Sequence, residues 1–118
     1  MRALVVEDDH IFAEVITDIL THRGHEVDVA GSGEQAVKMA SEWRFDLAIV
    51  DIRLPNSDGW NVARRLKDGY NVPCIAVTAY HTREVEQAAT AEDSGFVAYY
   101  PKPVDILTFG QEAESYIS

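Results

Sequence analysis

The sequence predicts an α/β fold: one five-stranded parallel sheet, doubly wound with helices on both faces. Three observations predict it. A strand-like run followed by a helix-like run recurs five times, at about 24 residues per unit, the rhythm of βαβ units. The interior runs Leu4-Val5-Val6, Leu47-Ala48-Ile49-Val50 and Ile75-Ala76-Val77 are continuously apolar, as strands covered on both faces must be. Four runs also stop at residues suited to phosphate chemistry: Glu7-Asp8-Asp9, Asp51, Thr78, and Lys102 by way of Pro101. In an open parallel sheet those endings line the carboxyl edge, where ligands sit.

The elements follow in order. The first strand spans Arg2 to Val6, and its helix runs from His10 to His22, with Asp9 as N-cap and Gly24 as the stop. That helix carries Ile11, Phe12, Val15, Ile16, Ile19 and Leu20, a stripe wider than the ~100° one packing face requires. It is either a deeply covered helix or one that leaves Ile11 and Phe12, with Val15 as a third candidate, partly exposed beside the acidic edge as a docking patch. The second strand is Glu26 to Ala30, and Ser32 with Gln35 forms a capping box for the second helix. The third strand, Asp46 to Val50, is followed by the turn residues Pro55, Asn56, Ser57, Asp58 and Gly59. The third helix covers Trp60 to Lys67 and stops at Asp68-Gly69. The fourth strand is Pro73 to Val77, its helix Thr82 to Asp93, and the fifth strand Phe96 to Tyr100. A last helix begins near Asp105, with Ile106, Phe109, Ala113 and Tyr116 on one face.

Size and charge narrow the function. A chain of 118 residues with 47% hydrophobic content makes one domain with a real core and needs no disulfide. Cys74, its one cysteine, sits in an apolar stretch and reads as a buried core residue, which fits a reducing cytoplasm. The start Met1-Arg2-Ala3-Leu4 leads directly into a strand, so no signal peptide is expected, and no apolar run approaches the ~18 residues of a membrane span. A net charge of −10 repels nucleic acid and anionic lipid. Neither direct nucleic-acid binding nor membrane insertion is expected. Glu7, Asp8, Asp9 and Asp51 crowded at one edge call for a cation.

Four motifs in sequence order carry a resemblance that covers the full length. They are Val-Val-Glu7-Asp8-Asp9, Asp51-Ile-Arg-Leu-Pro-Asn-Ser-Asp-Gly59, Val-Thr78-Ala79 and Lys102-Pro103. The chain resembles the receiver domain of two-component response regulators, and is similar to chemotaxis receivers. The resemblance implies a single receiver domain over residues 1–118, of flavodoxin-like (βα)5 fold with strand order 2-1-3-4-5. It implies that Asp51 is the phosphoacceptor, taking a phosphoryl group from a histidine on a sensor kinase or a histidine phosphotransfer protein. Asp8 would bind Mg²⁺ (or Mn²⁺) directly and Glu7 through water, with Asp51 and the backbone carbonyl of Arg53 completing the set. Thr78 and Lys102 would each take a phosphoryl oxygen and offset the charge that develops in transfer.

Tyr99 matches the aromatic switch position and would turn inward as Thr78 moves, altering a surface read by a downstream protein partner. Tyr100 should face the other side of the sheet. The Lys102-Pro103 bond is cis in the family, while Pro101 departs from the usual residue before the lysine. In the resembled family the positions of Arg53 and Tyr80 flank the path of attacking water, so these two residues would tune the lifetime of the phosphorylated state. Enzymology would be limited to self-phosphorylation and self-dephosphorylation, in the cytoplasm.

Three other readings fit less well. A haloacid-dehalogenase-type phosphatase wants an aspartate two residues after the nucleophile, where this chain has Arg53. A flavodoxin-like cofactor binder wants a Ser/Thr/Gly phosphate loop after the first strand, where acids would repel it. A pseudo-receiver would lack some of these residues, and all are present. His10, His22, His25 and His81 show no paired metal spacing, and none reads as a phosphodonor.

Overall fold

The computed structural model describes residues 1–55 and 57–117, so Asn56 of the expected turn and Ser118 lie outside the described residues. In chain order the elements are β1 (Arg2–Val6), α1 (His10–His22), β2 (Glu26–Ala30), α2 (Gly33–Glu42), β3 (Leu47–Asp51), β4 (Arg53–Leu54), β5 (Ser57–Asp58), α3 (Gly59–Tyr70), β6 (Cys74–Thr78), α4 (Arg83–Thr90), β7 (Phe96–Pro101) and α5 (Phe109–Glu114). The main sheet is wholly parallel in the order β2-β1-β3-β6-β7, which is the 2-1-3-4-5 flavodoxin-like arrangement of the five principal strands.

Strand alternation divides the core in two. Leu4, Val6, Ala48, Val50, Cys74 and Ala76 face α2, α3 and α4, where Ala36, Val62, Leu66 and Ala89 meet them. Ala3, Val5, Leu47, Ile49, Ile75 and Val77 face α1 and α5, against Ile16, Leu20, Phe109 and Ala113. Tyr99 packs on the first side and Tyr100 on the second, as alternation requires.

Several boundaries differ from the sequence expectation. β3 and β6 each sit one residue later than expected, so Asp51 and Thr78 are the last residues of their strands instead of the first beyond them. β4 and β5 form a small antiparallel pair, Arg53 opposite Asp58, that pins the turn after Asp51. α3 continues through Gly69 to Tyr70 and closes on Asn71 in the left-handed region (φ 57°, ψ 40°), which asparagine tolerates.

α4 ends at Thr90, earlier than the expected Asp93. Gly95 at φ +91° lies tight against α3, and Ser94 Oγ accepts from Phe96 N–H at 3.0 Å, so the chain must leave the helix to start β7. α5 begins at Phe109, later than Asp105. Asp105 caps a separate turn through Leu107 N–H, and that turn turns Ile106 away from the expected buried face into solvent.

Ser32 caps α2 by accepting from Gln35 N–H at 3.2 Å, while the Gln35 side chain reaches Gly31 N–H instead of that of Ser32. Both ends of the described chain lie at the amino edge of the sheet. Met1 C=O accepts from Glu26 N–H, and Ile117 lines a cavity of about 550 Å³ with Trp43, Asp46, Asn71 and Pro73.

Candidate functional site

The carboxyl ends of β1, β3, β6 and β7 are neighbours in the sheet, and this adjacency assembles the site. Glu7 extends β1 through its N–H to Ala30 C=O and is almost fully buried, at 1% exposure. Asp51 ends β3 and is buried, with its Oδ1 accepting from Arg53 N–H at 2.9 Å. Thr78 ends β6, buried, and Lys102 follows β7 with its N–H on Thr78 C=O at 2.9 Å. The Lys102–Pro103 peptide is cis. Despite Pro101, the lysine ammonium reaches inward. It donates to Asp51 Oδ2 at 3.1 Å and to Glu7 Oε1, and lies 4.2 Å from the centre of the Phe12 ring.

Glu7, Asp8 and Asp51 each offer a carboxylate oxygen, and these oxygens lie within 4.8 Å of one another. An all-oxygen anionic set of this kind fits a hard divalent ion such as Mg²⁺. Burial, followed by the neighbouring Asp51, pushes the Glu7 carboxyl up to about 7 against the opposing pull of Lys102. Burial alone would lower Lys102, but its two carboxylate partners outweigh that and hold its pKa above the ordinary lysine value. Asp9 is not among the three clustered carboxylates. Its Oδ1 accepts from Ile11 and Phe12 N–H, the N-cap of α1.

Beside this cluster is a cleft of about 370 Å³ lined by Asp51, Arg53, Thr78, Tyr80 and Lys102 among others. Arg53 and Tyr80 meet across its mouth, the guanidinium carbon 4.4 Å from the ring centre. That stack was not legible in the sequence, which shows only that both are long side chains. Thr78 Oγ1 accepts from Tyr80 N–H at 3.0 Å. Tyr99 is half-buried, and its hydroxyl meets His81 Nδ1 at 2.5 Å.

The structure separates the two docking candidates. Ile11 is 78% exposed, whereas Phe12 is half-buried beneath Lys102. Sequence reasoning missed Leu107, which is 87% exposed beside Ile106 in the turn before α5. Its signal was present only as an apolar pair interrupting the helical period. Among the described residues no helix is long and apolar enough to cross a membrane.

Residues 3–113 match the family model described as the response regulator receiver domain. Protein RcaC of Microchaete diplosiphon is 37% identical over 106 residues, 89% of this chain and 16% of that protein. The polar-differentiation response regulator DivK of Brucella anthropi is 32% identical over 117 residues, covering 97% of this chain and 94% of the other. The crystal structure of response regulator protein TrrA from Thermotoga maritima, in complex with Mg²⁺–BeF, aligns with a TM-score of 0.82 at 27% identity, over 97% of this chain and 96% of that one. The chain spans only about half the length, or less, of RcaC and of the transcriptional regulatory proteins it matches.

Proposed function

The chain belongs to the family of response regulator receiver domains, signalling domains of two-component systems, and from that premise we propose that Asp51 accepts a phosphoryl group from a partner's phosphohistidine. The observation that carries this reading is the convergence on one buried carboxylate of an ammonium at 3.1 Å and two further acids. An Asp51 carboxylate oxygen attacks phosphorus in line, the P–N bond breaks, and the electron pair leaves with the imidazole. The donor is a sensor histidine kinase or a histidine phosphotransfer protein.

Asp8 would hold Mg²⁺ directly and Glu7 through water, with Asp51 and the Arg53 carbonyl as the other protein ligands. The ion, when bound, supplies positive charge that offsets the charge on the transferring group. Lys102 is then drawn from Glu7 toward a phosphoryl oxygen, and the Thr78 hydroxyl donates to another. Domain enzymology is confined to its own phosphorylation and dephosphorylation, and residues 1–118 act as one receiver unit. The TrrA complex supports this reading, since that relative was solved with Mg²⁺–BeF. Donor docking uses the exposed Ile11 on α1, with Phe12 seated beneath Lys102 behind it, and output passes through Tyr99 to a downstream protein partner.

Mass spectrometry after treatment with a small acyl phosphate and Mg²⁺ tests the proposal. The wild type gains one acid-labile phosphoryl group, and both Asp51→Asn and chelation abolish the gain. Retention of an acid-stable phosphoryl group in Asp51→Asn defeats the reading.

A further inference from the structure

Tyr99 is held by contacts outside the phosphoacceptor cleft. Its hydroxyl lies 2.5 Å from His81 Nδ1, with the two rings 5.6 Å apart and tilted by 33°. His81 Nε2 faces the Glu86 carboxylate of α4 at 3.7 Å. Burial, and then Glu86, raise the Tyr99 phenol, which keeps its proton on oxygen. In the tautomer whose proton sits on Nε2, the nitrogen that faces Glu86, His81 accepts the phenol hydrogen at Nδ1. α4 itself is weakly seated, with Ala89 its one buried residue among those described. This three-residue chain thus ties the helix, the loop after β6 and the face of β7 together.

The same loop begins at the cleft. Thr78 Oγ1 accepts from Tyr80 N–H at 3.0 Å, and His81 is the next residue. We infer that His81 is the positioning residue that links Thr78 to Tyr99, a latch that keeps the tyrosine hydroxyl at the surface while Thr78 stays bonded to Tyr80 N–H. The inference rests on the reading of Thr78 and Tyr99 as the switch pair. When the Thr78 hydroxyl turns to a phosphoryl oxygen, Tyr80 N–H loses its acceptor. The segment 79–81 is then free to shift, and the imidazole leaves the phenol. Nothing in the pattern of the four histidines in the sequence marks this role, because it depends on a loop path.

The test is NMR of ring-labelled tyrosine, with the Tyr99 signal assigned through Tyr99→Phe. Wild type, His81→Ala and His81→Gln are compared with and without Mg²⁺ plus beryllofluoride, a phosphoryl mimic. Beryllofluoride should move the wild-type Tyr99 signal. In His81→Ala without beryllofluoride the signal should already lie part-way along that path, reflecting a roughly three- to tenfold change in the outward-to-inward ratio on loss of one hydrogen bond. Beryllofluoride should bind His81→Ala more tightly, by no more than that factor. His81→Gln, whose carbonyl can accept from the phenol, should return the signal toward wild type. A Tyr99 signal that His81→Ala leaves in place, while wild type responds normally, overturns the latch and leaves the switch reading standing. A wild-type Tyr99 signal that does not move in protein whose bound fluorine resonances are visible defeats the switch reading, and the latch with it.

Discussion

Glu7→Gln should remove a pH dependence of stability that the wild type shows in the absence of metal. The folded chain holds the Glu7 carboxyl near 7, against an ordinary value of 4.5. As pH rises from about 4.5, the unfolded chain releases this proton first, so the folded state binds more protons and loses relative stability. The contribution is complete below 4.5, declines through the window up to about 7, and is gone above it. At about 1.4 kcal/mol per pKa unit this amounts to at most about 3 kcal/mol.

Two other shifted groups do not blur the window. Glu114, held near 2 by Arg23 and His25, stabilises above 4.5 and loses that contribution only as pH falls toward 2. Lys102, raised from 10.5, acts only in strong alkali. Urea unfolding followed by tryptophan fluorescence, at intervals from pH 5 to 8 in a chelator, gives the curve for each protein. Wild type should lose stability across the range and Glu7→Gln should lose clearly less. Saturating Mg²⁺, which favours the ionised carboxylate, should flatten the wild-type curve by stabilising the folded form most at the alkaline end. Parallel curves for the two proteins in chelator would refute the assignment of the titration to Glu7.

Three further outcomes are expected. Opening the Arg53–Tyr80 stack with Arg53→Asn and Tyr80→Glu should speed loss of the phosphoryl group, each by a few-fold, on the order of 1 kcal/mol of barrier; decay followed by mass spectrometry that is unchanged or slower in the double variant shows that the stack does not gate water. Ile11→Asp should slow transfer from a phosphohistidine donor and leave reaction with a small acyl phosphate nearly unaltered, whereas equal loss with both donors points to damage in α1. Gly59→Ala should destabilise by about 2 kcal/mol or more in urea unfolding, since the added Cβ would meet Asp51 O at 2.4 Å and Ile52 Cα at 2.6 Å, backbone atoms that cannot rotate away; a stability within a few tenths of wild type would show that the turn after β3 yields.

The fold was legible because apolar periodicity and strand-end chemistry agree over the whole chain. Alternation in Ala3 to Val6 already separates the two core faces, and Asp9 and Ser32 announce their helices by local hydrogen bonding. What the sequence did not resolve is where neighbours override local preference. The turn at Asp105 displaces the start of α5, and the close approach of Gly95 to Arg64 ends α4 early. In the site, residue types at strand ends predicted which groups meet, since sheet order fixes strand neighbours. Side-chain pairings across loops are a different matter. The Arg53–Tyr80 stack and the His81–Tyr99 bond each join residues that no spacing rule relates.

The location of Met1 and Ile117 bears on how this domain tolerates being joined to something else. Both lie on the side of the sheet away from Asp51, near Glu26 in one case and Trp43 in the other. A fluorescent protein, an affinity tag or a second module attached at either end through a short linker would hang from the floor of the domain and leave the rim around Asp51 open to a docking partner. An attachment within the loops after β1, β3, β6 or β7 would instead stand in the doorway.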